Sequence, residues 1–225
     1  MNIGTFEQSV NIQLPVESKP ICMLIVGIAG GTGCGKTTVV RKVMECFKPG
    51  DVALLAQDSY YRDSAHLPLE QRLELNFDHP DAIEWPLLIR HIRELRKGNA
   101  IDQPIYSYLT CTRSEETIRI EPRKVVIVEG ILILTQKEMR DILEIKVYVD
   151  ADPDDRLARV IRRDLAERGR SAEGVLERYD KTVKPMHLEF IEPSKRYADI
   201  IIPQGGENKV GIRVLTSLIR EQLNS

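Results

Sequence analysis

The glycine-rich stretch from residue 30 to residue 37 constrains the fold of this chain more than any other feature of its sequence. Its residues, GGTGCGKT, fit the pattern G-x-x-x-x-G-K-[ST] at every position. They follow the apolar run Met23–Ile28 and precede a segment in which apolar residues recur at helical spacing from about Thr37 onward. A strand, this loop and a helix in that order form the context in which such a loop holds nucleotide phosphates.

The residue types of the loop suit phosphate binding. Glycine permits positive φ, so successive backbone N–H groups can converge on phosphate oxygens, and the helix N-terminus adds a partial positive charge. Lys36 is predicted to reach the β- and γ-phosphates, and Thr37 to ligate Mg²⁺. Cys34 is interpreted as a small residue at a variable loop position, with a redox-active thiol as the alternative. The predicted donor-binding residues here are Gly30, Gly31, Thr32, Gly33, Cys34, Gly35, Lys36, Thr37 and Thr38.

Short β-branched runs alternate with amphipathic stretches along the chain, a pattern typical of β-α units around a parallel sheet. Candidate strands are Met23–Ile28, Val52–Ala56, Val125–Val128, Ile145–Val149 and Asp199–Ile202. Two candidate helices begin near Thr37 and at Asp152-Pro153, and two others span about Trp85–Lys97 and Asn208–Leu223. The sequence therefore predicts an α/β fold of the P-loop NTPase type, with a five-stranded parallel sheet flanked by helices.

Two segments fall outside this alternation. The alternating residues of Pro104–Ile120 predict a β-hairpin that projects from the sheet. Residues 1–20 alternate weakly and are either an N-terminal extension or an edge strand. We expect residues 21–225 to form one domain.

Composition excludes several classes of protein. The 225 residues include 32 Lys+Arg and 34 Asp+Glu, so no net positive charge favours nucleic acid or an anionic membrane. The longest nearly apolar run, Ile21–Ala29, is shorter than the roughly 18–20 residues of a membrane helix, and residues 1–20 lack a signal-peptide pattern. The cysteines show no C-x-x-C spacing. We expect a cytoplasmic protein with reduced thiols and with neither nucleic acid nor membrane as partner.

Two carboxylates stand where strand ends should meet the phosphate loop. Asp58 follows Val52–Ala56, and Glu129 directly follows Val125–Val128. Because the carboxyl ends of parallel strands line the ligand crevice, both are predicted to face the γ-phosphate. One can accept the proton of an attacking hydroxyl while the other holds Mg²⁺ directly or through water. A capping carboxylate on the surface is the alternative for each.

Two missing patterns narrow the class of P-loop protein. The base-reading signature N-K-x-D of G proteins is missing, since the nearest string, residues 208–211, lacks the aspartate. The paired carboxylates that normally end the second acidic strand of a motor are also missing, because Glu129 is followed by Gly130. Both observations favour a compact kinase.

An arginine-rich segment follows Asp152-Pro153, where one of the helices is predicted to begin. Asp152 and Asp155 stand four residues before arginines, which predicts two ion pairs on a solvated helix face. Three further arginines lack such obvious partners and lie around Gly169, a candidate hinge. We expect a mobile lid at about residues 163–180 that neutralises the transferring phosphoryl group and excludes water, with Arg163 catalytic and Arg168 on the donor side. The arginines are Arg156, Arg159, Arg162, Arg163, Arg168 and Arg170.

From about Ile21 to Leu223 the chain resembles the uridine–cytidine kinase family. The strings that carry the resemblance, in family order and spacing, are GGTGCGKTT, AQDSYYRD, NFDHPDA, PIYSYLTCTR, VIVEGIL, RRDLAERGR and KTVKPMHLEFIEPSKRYADIIIP. The resemblance implies phosphorylation of the 5′-hydroxyl of uridine or cytidine in pyrimidine salvage, with ATP or GTP as donor and Mg²⁺ as cofactor. It also implies a homotetramer.

The resemblance further implies roles for individual residues. It makes Asp58 the general base, and places Thr37 and Glu129 beside Asp58 on the magnesium side. Asp78 and Arg170 would hold the ribose hydroxyls, because a carboxylate and a guanidinium suit a vicinal diol. By the resemblance, Tyr106 would line the base pocket. Without the resemblance, the sequence pattern indicates only an aromatic residue of the predicted hairpin.

Three positions depart from the family pattern. Cys111 stands where members that accept both pyrimidines have a histidine against the base, and Val160 where an arginine usually precedes the lid. Arg178 stands where a glutamine usually helps to bind the nucleoside. Cys111 and Arg178 are still expected to line the acceptor site, so the departures concern acceptor recognition and leave the phosphate and magnesium residues intact.

Two other functions stay open at this point. A kinase of the same fold could act on another hydroxylated metabolite, such as a sugar phosphate in the manner of phosphoribulokinase; Arg178 favours this and Asp78 argues against it. A non-catalytic nucleotide-binding protein is the second alternative. The intact set of Lys36, Asp58 and Glu129 argues against that reading.

Overall fold

The structure, a computed structural model, describes residues 23–224. Its strands are β1 (Leu24–Ala29), β2 (Val52–Ala56), β3 (Ile101–Ser107), β4 (Thr112–Ile120), β5 (Val125–Glu129), β6 (Ile145–Val149) and β7 (Ile200–Ile202). Its α-helices are α1 (Lys36–Met44), α2 (Leu69–Leu73), α3 (Trp85–Arg96), α4 (Lys137–Ile142), α5 (Pro153–Glu167), α6 (Ala172–Arg178), α7 (Lys184–Met186), α8 (Glu192–Ser194) and α9 (Lys209–Asn224). The expected extension or edge strand at residues 1–20 lies outside the described residues.

Five of these strands form one parallel sheet in the order β2-β5-β1-β6-β7. The register pairs Glu129 with Ala56 on one side and with Ile28 on the other. The carboxyl ends of β1, β2 and β5 therefore stand level at one edge, beside the loop that leads into α1. The predicted α/β fold is confirmed.

The sheet is covered on both faces, which explains its continuous apolar strands. On one face the buried side chains of α3, including Leu88 and Ile92, pack with Ile25 and Val126. On the other face α1 and α9 pack against Val26 and its neighbours. This two-sided packing holds the carboxyl edge of the sheet as a rigid platform.

The predicted hairpin is present and begins a few residues earlier than expected. β3 and β4 pair antiparallel from Ile101 opposite Ile120 to Ser107 opposite Thr112, with an irregularity between Pro104 and Tyr106. Proline cannot donate a ladder hydrogen bond, which accounts for an irregularity at this place. The hairpin turn carries Cys111 in a left-handed conformation, φ 52°.

Helix α5 has a buried face that is partly polar. Leu165, an apolar residue of this helix, is 45% exposed, whereas Arg156, Val160 and Asp164 are buried. The reason is that this face packs on the phosphate loop: a Cβ built on Gly33 would lie 3.0 Å from Val160. Polar residues are buried there because they have partners, as described below.

Between α6 and α8 the chain stays helical through two π-helical segments, Tyr179–Val183 and His187–Ile191. Each segment stands just before a proline, Pro185 or Pro193. Proline removes a backbone donor and clashes with the preceding turn, which disfavours regular α-helical hydrogen bonding there. None of the helices between residues 23 and 224 combines the length and hydrophobicity needed to cross a membrane.

Candidate active site

The loop between β1 and α1 has the backbone that a phosphate cradle needs. Gly30 and Gly33 have φ of 141° and 76°, in the region that favours glycine. A Cβ on Gly30 would lie 2.2 Å from the carbonyl oxygen of Val149, so no other residue fits without displacing β6. Lys36 is buried, and its Nζ donates to the carbonyl of Gly31 at 3.2 Å. The lysine is thus folded over its own loop, ready to exchange a carbonyl for phosphate oxygens.

The two predicted carboxylates meet beside this loop. Glu129 is the last residue of β5, and Asp58 lies in the 3₁₀ turn that follows β2. Burial raises the pKa of Glu129, while Lys36 and a hydrogen bond from Thr37 act in the opposite direction. A hydroxyl, a carboxylate and a second carboxylate close by are hard oxygen ligands of the kind that Mg²⁺ prefers.

The side chain of Gln57 connects the ends of β2 and β5. It is fully buried, and Oε1 accepts a hydrogen bond from the backbone N–H of Leu132 at 2.8 Å. A Cβ on Gly130 would lie only 2.3 Å from the Gln57 side chain, so the turn after Glu129 closes directly onto it. The residue before Asp58 therefore fixes the turn after Glu129.

One cavity of about 300 Å³ contains most of the predicted site. The predicted residues that line it are Thr32, Gly33, Gly35, Lys36, Thr37, Thr38, Asp58, Asp78, Tyr106, Cys111, Glu129, Arg163, Arg168, Arg170 and Arg178. Gly30, Gly31 and Cys34 do not line it. Gly30 packs against β6, and Cys34 is 1% exposed, which fits its interpretation as a small filler.

The far end of the cavity is aromatic with one buried acid. Asp78 is 4% exposed; burial raises its pKa, and Arg178, 3.1 Å from Oδ2, counteracts that shift. Tyr106 packs against Tyr61 and Phe77, and the thiol of Cys111 is the neighbour of its buried hydroxyl. A thiol is a weak hydrogen-bond partner, so a ligand oxygen or nitrogen at this place would be stabilised.

Cys111 lies at the same end. It is 4% exposed, and its Sγ donates to the carbonyl of Tyr108 at 3.6 Å, so the thiol is directed to the hairpin backbone. The backbone carbonyl of Cys111 in turn accepts from Ser64 at 2.6 Å. The hairpin turn is thereby fixed to the segment after β2.

Tyr108 is a site residue that the sequence did not reveal. Its hydroxyl donates to Oδ2 of Asp58 at 2.6 Å, and the guanidinium of Arg168 lies 4.7 Å above its ring. Its alternation with Tyr106 indicated only a hairpin, and no sequence signal placed its hydroxyl on an acid fifty residues away. Tyr108 thus connects the hairpin, the candidate base and the arginine-rich segment.

The arginine-rich segment is more strongly paired than expected. Arg163, Arg168 and Arg170 do have a partner: all three form ion pairs with the buried carboxylate of Asp164. The predicted pair between Asp155 and Arg159 is present at 3.7 Å.

The prediction of an ion pair between Asp152 and Arg156 is wrong. Arg156 is buried, and its Nη1 lies 3.3 Å from Nδ1 of His187 instead of pairing with Asp152. The cause is the packing of α5 on the phosphate loop, which turns Arg156 inward under Gly31.

Comparison with known proteins gives a consistent assignment. Residues 25–211 match the model of the Phosphoribulokinase / Uridine kinase family. The chain is 54% identical over 196 residues to a protein named uridine kinase from Staphylococcus haemolyticus, covering 87% of this chain and 95% of that protein. It is 49% identical over 201 residues to a uridine kinase from Clostridium novyi, covering 89% and 97%.

Among solved structures, a putative fructose transport system kinase from Silicibacter sp. TM1040 aligns with a TM-score of 0.67 at 19% identity, covering 86% of this chain and 93% of that one. This likeness concerns the fold alone, and it agrees with the P-loop kinase fold predicted from the sequence. The family predicted from the seven strings is confirmed by the family model and by the curated relatives. The chain belongs to the phosphoribulokinase/uridine kinase family.

Proposed function

We propose that this protein is a uridine kinase, which transfers the γ-phosphoryl group of ATP or GTP to the 5′-hydroxyl of uridine or cytidine. The observation that carries the proposal is the placement of Asp58 and Glu129 at neighbouring strand ends, beside Lys36 and within one cavity. Relatives named uridine kinase, about half identical over nearly their whole length, support the choice of acceptor.

On the donor side, Lys36 and the backbone N–H groups of the loop bind the phosphates. Arg163 and Arg168, which also line the cavity, add positive charge where the transferred group passes. Thr37, Glu129 and Asp58 would hold Mg²⁺, which would neutralise negative charge on the phosphates. Two carboxylates are enough, because Mg²⁺ sites of this kind are completed by phosphates and water.

On the acceptor side, Asp58 accepts the proton of the 5′-hydroxyl as that hydroxyl attacks phosphorus. A carboxylate accepts several hydrogen bonds, so it can take one from Tyr108 and one from the substrate. Asp78 and Arg170 bind the ribose hydroxyls, and Tyr106 offers a hydroxyl to the base. Arg178 neutralises Asp78 and lies at the border of this half of the cavity.

A second acceptor class deserves a direct comparison, because Arg170 and Arg178 line the cavity together with Asp78. The positive charge of these two arginines would also suit a sugar phosphate. A coupled assay of nucleoside-diphosphate release should therefore compare uridine, cytidine, adenosine and ribulose 5-phosphate with ATP and with GTP. We expect turnover with uridine or cytidine. Turnover confined to the sugar phosphate would refute the proposed acceptor.

The proposal includes a cytoplasmic location and a homotetramer, both motivated by the family resemblance. Light scattering coupled to size-exclusion chromatography measures the assembly directly. A mass of four chains is expected.

A further inference from the structure

Asp164 occupies the centre of the arginine-rich segment. Its carboxylate is 1% exposed and lies on the buried face of α5, close to the cavity. The guanidinium nitrogens nearest to it belong to Arg163 at 2.8 Å, Arg170 at 2.8 Å, Arg168 at 3.6 Å and Arg178 at 3.9 Å. These arginines come from α5, from the turn after it and from α6, so one carboxylate joins three pieces of chain.

The backbone of Asp164 holds the same turn. Its carbonyl oxygen accepts hydrogen bonds from the N–H groups of Arg168 and Arg170, both at 3.2 Å. Gly169, between these two residues, has φ of 62°, and among residues 23–224 no atom lies within 4 Å of a Cβ built on it. The turn is therefore open at Gly169, and Asp164 connects it to α5.

The charge balance of the cluster leaves positive charge for a ligand. Four guanidiniums face Asp164, and the second carboxylate in contact with them is Asp78, which pairs with Arg178. Burial alone would raise the pKa of Asp164, but the neighbouring arginines, Arg163 first, hold it below its ordinary value. Asp164 is thus an anion at neutral pH, and among residues 23–224 the four guanidiniums outnumber the two carboxylates that they contact.

Each guanidinium has five N–H donors, and Asp164 engages only one or two of them on any arginine. The remaining donors are free to contact phosphate oxygens if the planes of the guanidiniums are held in place. Without a common anchor, like charges at this distance would repel one another and move apart.

We propose that Asp164 is a positioning residue, whose carboxylate holds Arg163 and Arg168 so that their free N–H donors converge on the transferring phosphoryl group, and holds Arg170 beside the ribose hydroxyls. The inference rests on the proposed phosphoryl transfer and deepens it. Arg178, which contacts both Asp164 and Asp78, extends the same network to the acceptor half of the cavity.

If Asp164 only compensated charge, its replacement would have a different effect on ATP binding from the one that a positioning role predicts. Replacing Asp164 by asparagine adds one unit of positive charge to the site. If the carboxylate only neutralised charge, ATP would bind more tightly to the variant while kcat stayed near the wild-type value. If it positions the arginines, kcat falls and ATP affinity does not improve.

The test uses Asp164→Asn, which keeps the shape of the side chain, and measures kcat, both KM values and the Kd of Mg·ATP by calorimetry. We expect kcat to fall about 10²-fold, the order of the cost of misplaced catalytic groups. The KM of ATP should change by less than about threefold, and the KM of uridine should rise several-fold, because Arg170 and Arg178 lose their anchor. Asp154→Asn, the same change on an exposed residue of α5, is the matched control and should behave as wild type.

A second variant keeps the test decisive if Asp164→Asn does not fold, which circular dichroism would reveal. Asp164→Glu retains the charge but extends the side chain by one methylene group. Positioning predicts an intermediate loss of kcat with a native melting curve. Full activity in the glutamate variant, or kcat within twofold of wild type in the asparagine variant, would overturn the proposal.

The proposed function and the role of Asp164 can fail independently. If the wild-type protein turned over no nucleoside, the proposed acceptor would be refuted, but the calorimetric Kd of Mg·ATP would still test the role of Asp164. In that arm, tighter Mg·ATP binding by Asp164→Asn would overturn the positioning role, and equal or weaker binding would support it.

Discussion

At the scale of single residues, the site is defined by acids whose surroundings differ. Glu129 and Asp78 both lie where burial raises the pKa, and each has a cation beside it that counteracts the shift, Lys36 or Arg178. Lys36, Thr37, Asp58 and Glu129 could be placed from the sequence, because a loop motif and two strand ends fix their backbones. The hydrogen bond from Tyr108 to Asp58 could not, because it depends on how far the hairpin leans over the sheet.

The role of Asp58 as general base gives a direct prediction. Asp58→Asn keeps the shape of the side chain but removes its ability to take a proton, so kcat should fall by roughly 10²–10⁴-fold. Binding of Mg·ATP should change much less than kcat, because Lys36 and the phosphate loop still bind the phosphates, and Thr37 and Glu129 remain to hold Mg²⁺. Steady-state kinetics and calorimetry on the purified variant measure both quantities.

The control for Asp58 is Asp141→Asn, since Asp141 is exposed on α4 and pairs with Lys137. It should retain wild-type kinetics. If Asp58→Asn kept more than about half of its turnover, another group would have to be the base.

Cys111 gives a prediction on selectivity. A histidine at this position can donate or accept a hydrogen bond, and so can satisfy either pyrimidine, whereas the thiol is a weak partner that is already directed to the carbonyl of Tyr108. Histidine also tolerates the left-handed backbone of Cys111 better than most side chains. Cys111→His should therefore lower the KM of uridine, cytidine or both, by up to about tenfold, with a smaller effect on kcat.

Steady-state kinetics with both nucleosides check this prediction, and Cys46→His, a change at an exposed cysteine just after the C-terminal end of α1, is the control. Low-micromolar KM values in the wild type, together with no gain in the variant, would show that other residues complete the base pocket.

At the scale of secondary-structure elements, the regular parts of the fold could be predicted and the irregular parts could not. The strands β1, β2, β5 and β6 follow from β-branched runs bounded by turn residues, and α3 from its apolar spacing with Gly98 after it. The two π-helical segments could not be predicted, because the spacing of apolar residues at 3.6 residues per turn does not distinguish them from an α-helix. The buried face of α5 could not be predicted either, because Asp164 is buried by its ion pairs with arginines and Arg156 by its contact with His187, and not by apolar character.

His187, in the second π-helical segment, makes one of these irregular elements testable. It contacts Arg156 and Glu192 below the phosphate loop, with Asp150 and Lys195 also acting on it. Burial, followed by the charge of Arg156, lowers the pKa of His187 from its ordinary value to about 4. In the pH range between about 4 and 6.5, the unfolded chain therefore binds more protons at this residue than the folded chain does.

The neutral His187 thus contributes stability that is fully present above pH 6.5 and is lost as the pH falls toward 4. His187→Gln should show a shallower decrease in the free energy of unfolding across this range. Urea unfolding of both proteins at several pH values measures the two slopes. Equal slopes would mean that His187 is not held in its neutral form.

At the scale of the whole molecule, four parts of the chain meet at one edge of the sheet. The phosphate loop comes from β1, the acids from β2 and β5, the aromatic residues from the hairpin, and the arginines from α5 and α6. The order of the motifs along the chain predicted this set. Their meeting on the single carboxylate of Asp164 required the structure, because the contact depends on how α6 packs back against α5.

The central claim is that the phosphoryl group is transferred to the 5′-hydroxyl of a pyrimidine nucleoside. The measurement that tests it most directly is the proton-coupled ³¹P spectrum of the product formed from ATP, Mg²⁺ and uridine. The account predicts a phosphomonoester signal split into a triplet by the two 5′ protons, formed by wild type and greatly slowed in Asp58→Asn. A doublet from a 2′- or 3′-phosphate, or free inorganic phosphate alone, would contradict it.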